Sequence, residues 1–411
     1  MAEPRKLGLY RTTTRTRALM MLAVDAFGYG LLGPWTLLRW WHGRRYNPES
    51  VRRIAVLRPD GIGDLVLSSP SIQALKRAFP GAEITLLVNQ WARGIAEMIP
   101  GVDEIVYLEA PFFSAFKKKA HMRDILRERK RLKAIGASKR FDLALDLRGD
   151  FFSILQAFWL NARWLMARPS RAGGFLLTHR VVQPEEGRVS EIELNKDFVV
   201  IVSRSRMEND GADTPVLRLG PKVYKPDCLK ALGNDYLCLA VAAPYATRCY
   251  PPQLWLRLLK LIRTRYEHPI AILGSPGERE YCHRIAEKAG SMVYNLAGRL
   301  TLAQSAACIA ECRAFIGNDG GLIHIASAFR RPLIQLFGPA SSRCFGHFGE
   351  NEYVLQKECP YNPCAEPSCK NPHNWCMARI DPNEIMDILQ DKIQLFPVKA
   401  QHPEQEREVD G

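Results

Sequence analysis

Two successive runs of strand–helix alternation constrain this chain more than any other feature of it. Between residues 51 and 147, the short apolar stretches RRIAVL, AEITLLVN, DEIVYL and FDLALDL alternate with segments of helical period. From residue 235 the alternation restarts. DYLCLAVAAP, PIAILG, MVYNLAG, AFIGND and RRPLIQLFGP read as strands, with PPQLWLRLLKLIRTRYE, GEREYCHRIAEKAG and TLAQSAACIAECR as helices between them. No turn dipeptide joins one strand-like run directly to the next, so hairpins are excluded and the neighbours connect by helical crossovers. Strands that are apolar throughout are buried on both faces, which predicts parallel sheets covered by helices. SSPSIQALKRAFPG is expected to be one of the crossover helices, with Ser69 as N-cap, Pro70 at the first helical position and Gly81 beyond its end.

At 411 residues with 47% hydrophobic and 24% charged composition, the chain can build two cores. Two α/β units of similar size predict two Rossmann-like domains facing each other across a cleft. LGPKVYKPDCLK, with its Pro, Gly and Lys and no periodicity, marks the boundary. The expected organisation is a basic, apolar N-terminal extension over 1–50, a first domain over 51–225, a second over 226–395 and a charged tail over 396–411.

The formal charge of +14 is concentrated. Residues 1–50 hold eight Lys/Arg against three acids, residues 112–140 hold eleven against two, and the remainder is balanced. With no helix-turn-helix, zinc-finger or RNP pattern, a nucleic-acid partner is not expected. KKKAHMRDILRERKRLK fits a solvated helix face, an anionic membrane surface or a phosphorylated acceptor.

ALMMLAVDAFGYGLLGPWTLL, residues 18–38, approaches the ~20 apolar residues that span a bilayer. Asp25 lies inside it, and an acid at a helix centre costs about 2.5–3.5 kcal/mol on insertion. Gly28, Gly30, Gly33 and Pro34 weaken it further, and no small-residue cleavage site follows. Flanked by Arg15 and Arg17, then by Trp35, Trp40, Trp41, Arg44 and Arg45, it suits an interfacial anchor or a helix packed on the domain.

All eleven cysteines follow residue 227, and the odd count fits free thiols in a reducing cytoplasm. Cys359, Cys364, Cys369 and Cys376 have the spacing C-x4-C-x4-C-x6-C, which lacks the CxxC pair of zinc sites and matches no iron–sulfur spacing. They are expected to brace a loop, and no metal is assigned.

Ligands of parallel sheets bind at the carboxyl ends of strands, and three loops there carry chemistry. In RPDGIGDLV, Gly61 and Gly63 permit a tight turn and close backbone approach, and Asp64 emerges as the strand ends; such an acid can also cap a helix. In AAPYATRCYPPQLW, Thr247 and Arg248 precede a Pro-initiated helix and suit phosphate, or else lie on an exposed loop. In IGNDGGLIHIASAF, Gly320 and Gly321 open a helix whose first N–H groups favour an anion such as a diphosphate. Asp319 would repel bare phosphate and is expected to accept sugar hydroxyls. His324, one turn on, can donate to phosphate or pack.

Taken in order, RRIAVLRPDGIGDLVLSSPSIQALKRAFPGAEITLLV, FDLALDLRGD, ATRCYPPQLW, LGSPGERE, NLAGRLTLAQSAACIAECRAFIGNDGGLIHIASAFRRPLIQLFGP and the cysteine segment resemble glycosyltransferase family 9, the ADP-heptose:lipopolysaccharide heptosyltransferases, over about residues 51–390. The resemblance implies a GT-B fold and an inverting, metal-independent sugar transfer with no cofactor. It implies that Asp64 is the general base, with Gly61, Gly63 and Arg148 on the acceptor side. It implies donor contacts from Arg248, with Thr247 beside it, and from Asp319, Gly320, Gly321 and His324. Glu278 of LGSPGERE matches an acid near the nucleotide ribose. Three positions depart from the family: Arg248 stands where Lys is usual, Tyr250 where Trp is usual, and Gly320 where a hydroxyl is usual. One neutral hydrogen bond is worth about 0.5–1.5 kcal/mol net.

The implied partners are a nucleotide-sugar donor, with ADP-heptose first, and an anionic lipid-linked glycan acceptor, met at the inner face of the cytoplasmic membrane. The alternative is a nucleotide-sugar-binding or assembly protein that keeps the fold without turnover. A Rossmann oxidoreductase is disfavoured, because no G-x-G-x-x-G follows the first strand.

Overall fold

The apolar runs form two all-parallel sheets of six strands each. The first holds β1 (Arg53–Leu57), β2 (Glu83–Asn89), β3 (Glu104–Leu108), β4 (Leu143–Asp146), β5 (Trp164–Ala167) and β6 (His179–Arg180), in the order β3-β2-β1-β4-β5-β6. The second holds β7 (Leu237–Ala240), β8 (Ile270–Ile272), β9 (Val293–Asn295), β10 (Ala314–Asn318), β11 (Leu333–Phe337) and β12 (Glu352–Gln356), in the order β12-β11-β10-β7-β8-β9. Counted from its own first strand, the second sheet repeats the order of the first. Register is fixed by apolar neighbours: Val56 lies between Leu86 and Leu145, and Ile316 between Leu239 and Ile334. This is a computed structural model describing residues 15–109, 121–169, 172–181, 189–204, 214–220, 227–230, 232–362, 364, 369, 371 and 375–395.

The helices of the first half are α1 (Arg15–Gly43), α2 (Ile62–Leu67), α3 (Ser69–Ala78), α4 (Arg93–Ala96), α5 (Met122–Lys139), α6 (Phe151–Trp159) and α7 (Glu191–Ser203). Those of the second are α8 (Asp227–Lys230), α9 (Pro252–Arg263), α10 (Arg279–Ala289), α11 (Leu302–Glu311), α12 (Gly321–Ala328), α13 (Ser342–Phe345) and α14 (Pro382–Asp387). Side chains alternate across each strand and so divide the helices between faces. Ile54 and Val56 point to a core shared with α2, α3, α4 and α7, whereas Ala55 and Leu57 point to a core shared with α1, α5 and α6. The first of these cores continues into the second half through Ala306, Ile323 and Phe337, so the two lobes meet on apolar surface. The outer face of the second sheet buries Trp255, Leu258 and Ile262 of α9 against Leu237 and Leu239.

Some local expectations shift. Ser68, not Ser69, occupies the N-cap of α3, and Pro70 is its second residue. The hydroxyl of Ser69 instead donates to Val66 O at 2.7 Å and accepts from Val216 N–H at 2.9 Å. The reason is that α2 runs almost directly into α3, leaving no free helix start for Ser69 to cap. The strands β5, β6 and β12 were not legible as alternation because the first two are only four and two residues long and the third is half-buried at an edge. Of the LGPKVYKPDCLK boundary, residues 221–226 lie outside the described residues, as do Lys117–Lys119 of the basic segment and the tail 396–411.

Gly136, in α5, shows how tightly the outer helix layer is set. A Cβ there would lie 1.9 Å from Leu160 O. Gly136→Ala is therefore expected to push α5 off the end of α6 and to destabilise by about 1–3 kcal/mol, read as a lower denaturant midpoint at constant m-value.

Candidate active site between the lobes

In parallel sheets with this order, the crevice opens where crossovers leave in opposite directions, between β1 and β4 in the first sheet and between β7 and β10 in the second. Nearly every expected site residue follows one of these four strands. Asp64 follows β1, Arg148 follows β4, Thr247 and Arg248 follow β7, and Asp319, Gly320, Gly321 and His324 follow β10. Glu278 follows β8, next to β7.

The two crevices face each other through glycine. At Gly63 a Cβ would sit 2.6 Å from Cδ2 of His324, and at Gly321 it would sit 3.3 Å from the Ile62 side chain. The start of α2 and the start of α12 therefore press together, and Gly63 serves this approach of one lobe to the other. Gly320 is different. Its φ of 177° is extended backbone open to any residue, and the nearest atom to an added Cβ is Asn318 O at 3.8 Å.

Asp64 is partly exposed in the first turn of α2. Its Oδ2 accepts from Gly61 N–H at 3.2 Å, closing a cap, while Oδ1 lies 3.6 Å from the guanidinium of Arg58. Arg58 is buried and holds the whole corner. It contacts Asp60 at 3.2 Å and Glu191 at 3.0 Å and donates to Leu147 O at 2.6 Å. Burial opposes its charge, but Asp60, Glu191 and Asp64 outweigh burial and drive its pKa upward. Burial raises Asp60 to about 7, with Arg58 opposing and the charge of Asp64 adding to the rise. Arg148 also pulls Asp60 down and pairs with Asp150. Below it, the fully buried Asp146 accepts from Ser153 Oγ at 2.7 Å and from the N–H groups of Arg148 and Gly149, shaping the loop. Burial lifts Asp146 to about 7 as well.

In the opposite lobe, Arg248 NH1 lies 3.0 Å from Asp319 Oδ2. This is an ion pair without hydrogen-bond geometry, so the buried oxygen accepts no hydrogen bond. Burial raises the Asp319 pKa, Arg248 opposes, and the negative charge of Asp64 across the cleft raises it further. Asn318 fixes this arrangement by accepting from Tyr250 N–H at 3.0 Å and donating to Val241 O at 2.9 Å. Tyr250 is core: its ring is fully buried and its hydroxyl donates to Ile380 O at 2.7 Å. Thr247 is buried, and its carbonyl accepts from the Trp375 indole at 3.3 Å. Glu278 accepts from Ser275 N–H at 2.7 Å, capping the turn before α10, and its charge reaches Cys249, beside Arg248.

His324 is buried with Nδ1 2.7 Å from Nε2 of His347, whose backbone exchanges hydrogen bonds with the Gln335 side chain. Burial, then Arg248, lowers His324 to about 3, and burial, then His324, lowers His347. His324 is thus a neutral imidazole, and the local positive charge belongs to Arg248. The four clustered cysteines line a small recess with Thr247 and Trp375. All eleven thiols are free, and among the described residues no group of three or more His, Cys, Asp and Glu is arranged to hold a metal ion.

Sequence reasoning did not single out Arg58, Asp60, Asp146, Glu191, Asn318 and His347. Arg58 and Asp60 stand inside RPDGIGD and Asn318 inside IGND, where position beside a glycine loop was a usable signal. Glu191 and His347 carry no local signal, because their partners are 133 and 23 residues away.

The histidine pair generates a pH test. A base held neutral by burial contributes stability that is complete above its unfolded pKa of about 6.5 and is lost as pH falls toward its folded value. Asp60 and Asp146, raised by burial, act in the opposite sense, so the comparison must be with a variant. The stability advantage of wild type over His347→Gln is expected to shrink by about 1.4 kcal/mol per pH unit between about pH 6 and 4.5, measured by urea unfolding. A difference that does not change with pH would contradict the burial of a neutral pair.

Known proteins share this architecture. Residues 128–374 match the family model for glycosyltransferase family 9 (heptosyltransferase). Lipopolysaccharide heptosyltransferase 2 of Salmonella typhimurium is 24% identical over 82% of this chain and 97% of its own length. The structure of Escherichia coli ADP-heptose lps heptosyltransferase II superposes with a TM-score of 0.64 at 21% identity, covering 84% of this chain and 99% of that one. E. coli heptosyltransferase WaaC with ADP-2-deoxy-2-fluoro heptose superposes with a TM-score of 0.60 at 19% identity, covering 82% and 99%. Two six-stranded parallel sheets meeting at their switch points form a GT-B fold, and this chain belongs to glycosyltransferase family 9.

Proposed function

We propose that the protein transfers heptose from ADP-heptose to a lipopolysaccharide-core or related lipid-linked glycan, with inversion at the anomeric carbon and without a metal ion. The observation that carries this reading is the juxtaposition of Asp64, from one switch point, with the Arg248–Asp319 pair from the other, close enough for the charge of Asp64 to act on Asp319. A displacement of this kind needs a base for the acceptor hydroxyl on one side of the sugar and fixed counter-charge for the leaving diphosphate on the other. Asp64 would take the proton. Its carboxylate is held by Gly61 N–H and faces Arg58, so it is oriented before the acceptor arrives.

Arg248 and the free N–H groups at the start of α12 would stabilise the diphosphate, supplying the positive charge that a divalent cation would otherwise bring. His324, neutral beside Arg248, would act as a hydrogen-bond donor. The unbonded oxygen of Asp319 suits a sugar hydroxyl once substrate enters. Glu278 has one oxygen in its cap and would offer the carboxylate to a ribose hydroxyl. Gly61, Gly63 and Arg148 belong to the acceptor side, with Arg148 within electrostatic reach of Asp60 at the mouth of the first crevice. The donor assignment is supported by the relatives whose names carry ADP-heptose or its fluoro analogue. The enzyme would work at the inner face of the cytoplasmic membrane, where a lipid-linked acceptor is presented.

Two variants and one condition test this. Asp64→Asn is expected to lower kcat at least about a hundredfold, the scale of general-base catalysis, while ADP still raises Tm as in wild type. Unchanged turnover would remove Asp64 as the base, whereas a wild type that binds ADP and shows no turnover would be a binding protein with this fold. Gly320→Ser restores a hydroxyl where the backbone is extended and space is open, and is expected to lower the donor KM about two- to tenfold. Turnover is expected to persist in EDTA.

A further inference from the structure

Helix α1 is inverted relative to a helix that faces water. Asp25, Gly28, Leu32, Trp35, Thr36 and Arg39 recur at helical spacing on the side packed against the first lobe. Asp25 is 8% exposed and accepts from Gly173 N–H at 2.8 Å. A Cβ at Gly28 would strike the Phe175 ring at 2.4 Å, Trp35 meets Phe158 edge-on at 5.4 Å, and Arg39 lies over Trp35 at 4.8 Å. Asp25, Thr36 and Arg39 therefore face protein. The other side carries Leu19, Leu22, Phe27, Leu31, Leu37 and Leu38, with Phe27 70% and Leu31 67% exposed. From residue 19 to residue 41 no charged side chain stands among the exposed positions. These 23 residues are long and apolar enough to cross a membrane by length and composition, about 34 Å of helix. From Asp25 to Gly43 one side of the helix rests on the first lobe and the other is open, an arrangement that suits a helix lying along a bilayer better than one ringed by lipid.

Charge tells what covers this side. Beyond Trp40 and Trp41 stand the exposed Arg44 and Arg45, each stacked over one indole at 4.0 and 4.1 Å. Helix α5 shares with α1 the core on one face of the first sheet and exposes Arg123, Arg129, Lys130 and Lys133 together with Met122 and Leu126. Its Glu128 is buried and bound to Arg131. A second copy of the same basic surface would be repelled, whereas anionic headgroups would be attracted. Asp25 lies against Gly173, which rests on Phe151 and Ile154 at the start of α6, beyond the carboxyl end of β4. The part of α1 preceding Asp25 and the first turn of α5 thus lie toward the sheet edge from which Asp64 emerges.

We propose that α1 and α5 form an in-plane seat on an anionic lipid bilayer, with α1 sunk to the headgroup–acyl boundary and α5 over the headgroups. Helix α1 precedes the residues matched by the family model, 128–374, which take in most of α5. Its purpose, bringing the cleft to a lipid-borne acceptor, rests on the proposed transfer reaction. The binding itself does not.

The experiment is vesicle flotation of the full chain. Wild type is expected to float with mixed phosphatidylglycerol–phosphatidylcholine vesicles and to bind pure phosphatidylcholine at least about tenfold less. Leu31→Glu with Leu38→Glu is expected to lower partition at least about tenfold at any salt, and Arg129→Glu with Lys130→Glu to lower it most at low salt. Both variants should keep the Tm shift with ADP, which separates loss of the seat from misfolding and from failure of the transfer reading. Brominated lipids should quench Trp40 and Trp41 when labelled near the headgroup and not at the acyl terminus. Quenching deepest at the bilayer centre would overturn the in-plane seat. Equal partition of wild type and Leu31→Glu/Leu38→Glu would also overturn it, as would a wild-type dimer in lipid-free buffer that this variant splits.

Discussion

The structure depends on two helix starts without side-chain bulk pressing against each other across the cleft. Gly63 lies on the ring of His324, and Gly321 lies on Ile62, so the first turn of α2 reaches the first turn of α12. Both helices begin at switch points, where each sheet leaves a crevice at its carboxyl edge. A methyl group at Gly63 would lie 2.6 Å from the buried His324 ring and push the two helix starts apart, shifting Asp64 relative to Arg248 and Asp319, whereas at Gly321 it would sit 3.3 Å from Ile62 and ask only a small adjustment. The apolar core continuous through α2, α4, α11 and α12 supports this contact from behind.

Behind the glycine contact, buried charge holds each half of the site in shape. Arg58 ties β1, β4 and α7 together through Asp60, Leu147 O and Glu191, and so fixes the loop that presents Asp64. Arginine suits this corner because its planar fork serves several acceptors at once and stays charged when buried. In the opposite lobe the ion pair of Arg248 with Asp319 is supported by Asn318, and the neutral pair of His324 with His347 fills the space beneath. Removing one member of such a group leaves its partners buried without compensation, which costs more than the contact itself is worth.

Much of this was legible in the sequence because it is written locally. Strands β1–β4 and β7–β11 and the loops with Asp64, Arg248 and Asp319 follow from alternation and glycine position. What was not legible is long-range. That Gly63 answers to His324, that Arg58 finds Glu191 and that His347 pairs with His324 are consequences of packing between segments with no shared pattern. Asp25 illustrates the same limit. Read along the chain it is an acid in an apolar helix and argues against a membrane span, but only the fold shows that it faces Gly173 and leaves the exposed side from residue 19 to residue 41 without a charge.

The most direct measurement is a crystal structure of the full chain with an intact nucleotide-sugar donor. The account expects the diphosphate within hydrogen-bond distance of Arg248 and the first turn of α12, with the anomeric carbon turned toward the carboxylate of Asp64. A donor seated instead in the groove of about 830 Å³ between α10 and β9, lined by Arg279, His283 and Asn295, would contradict it.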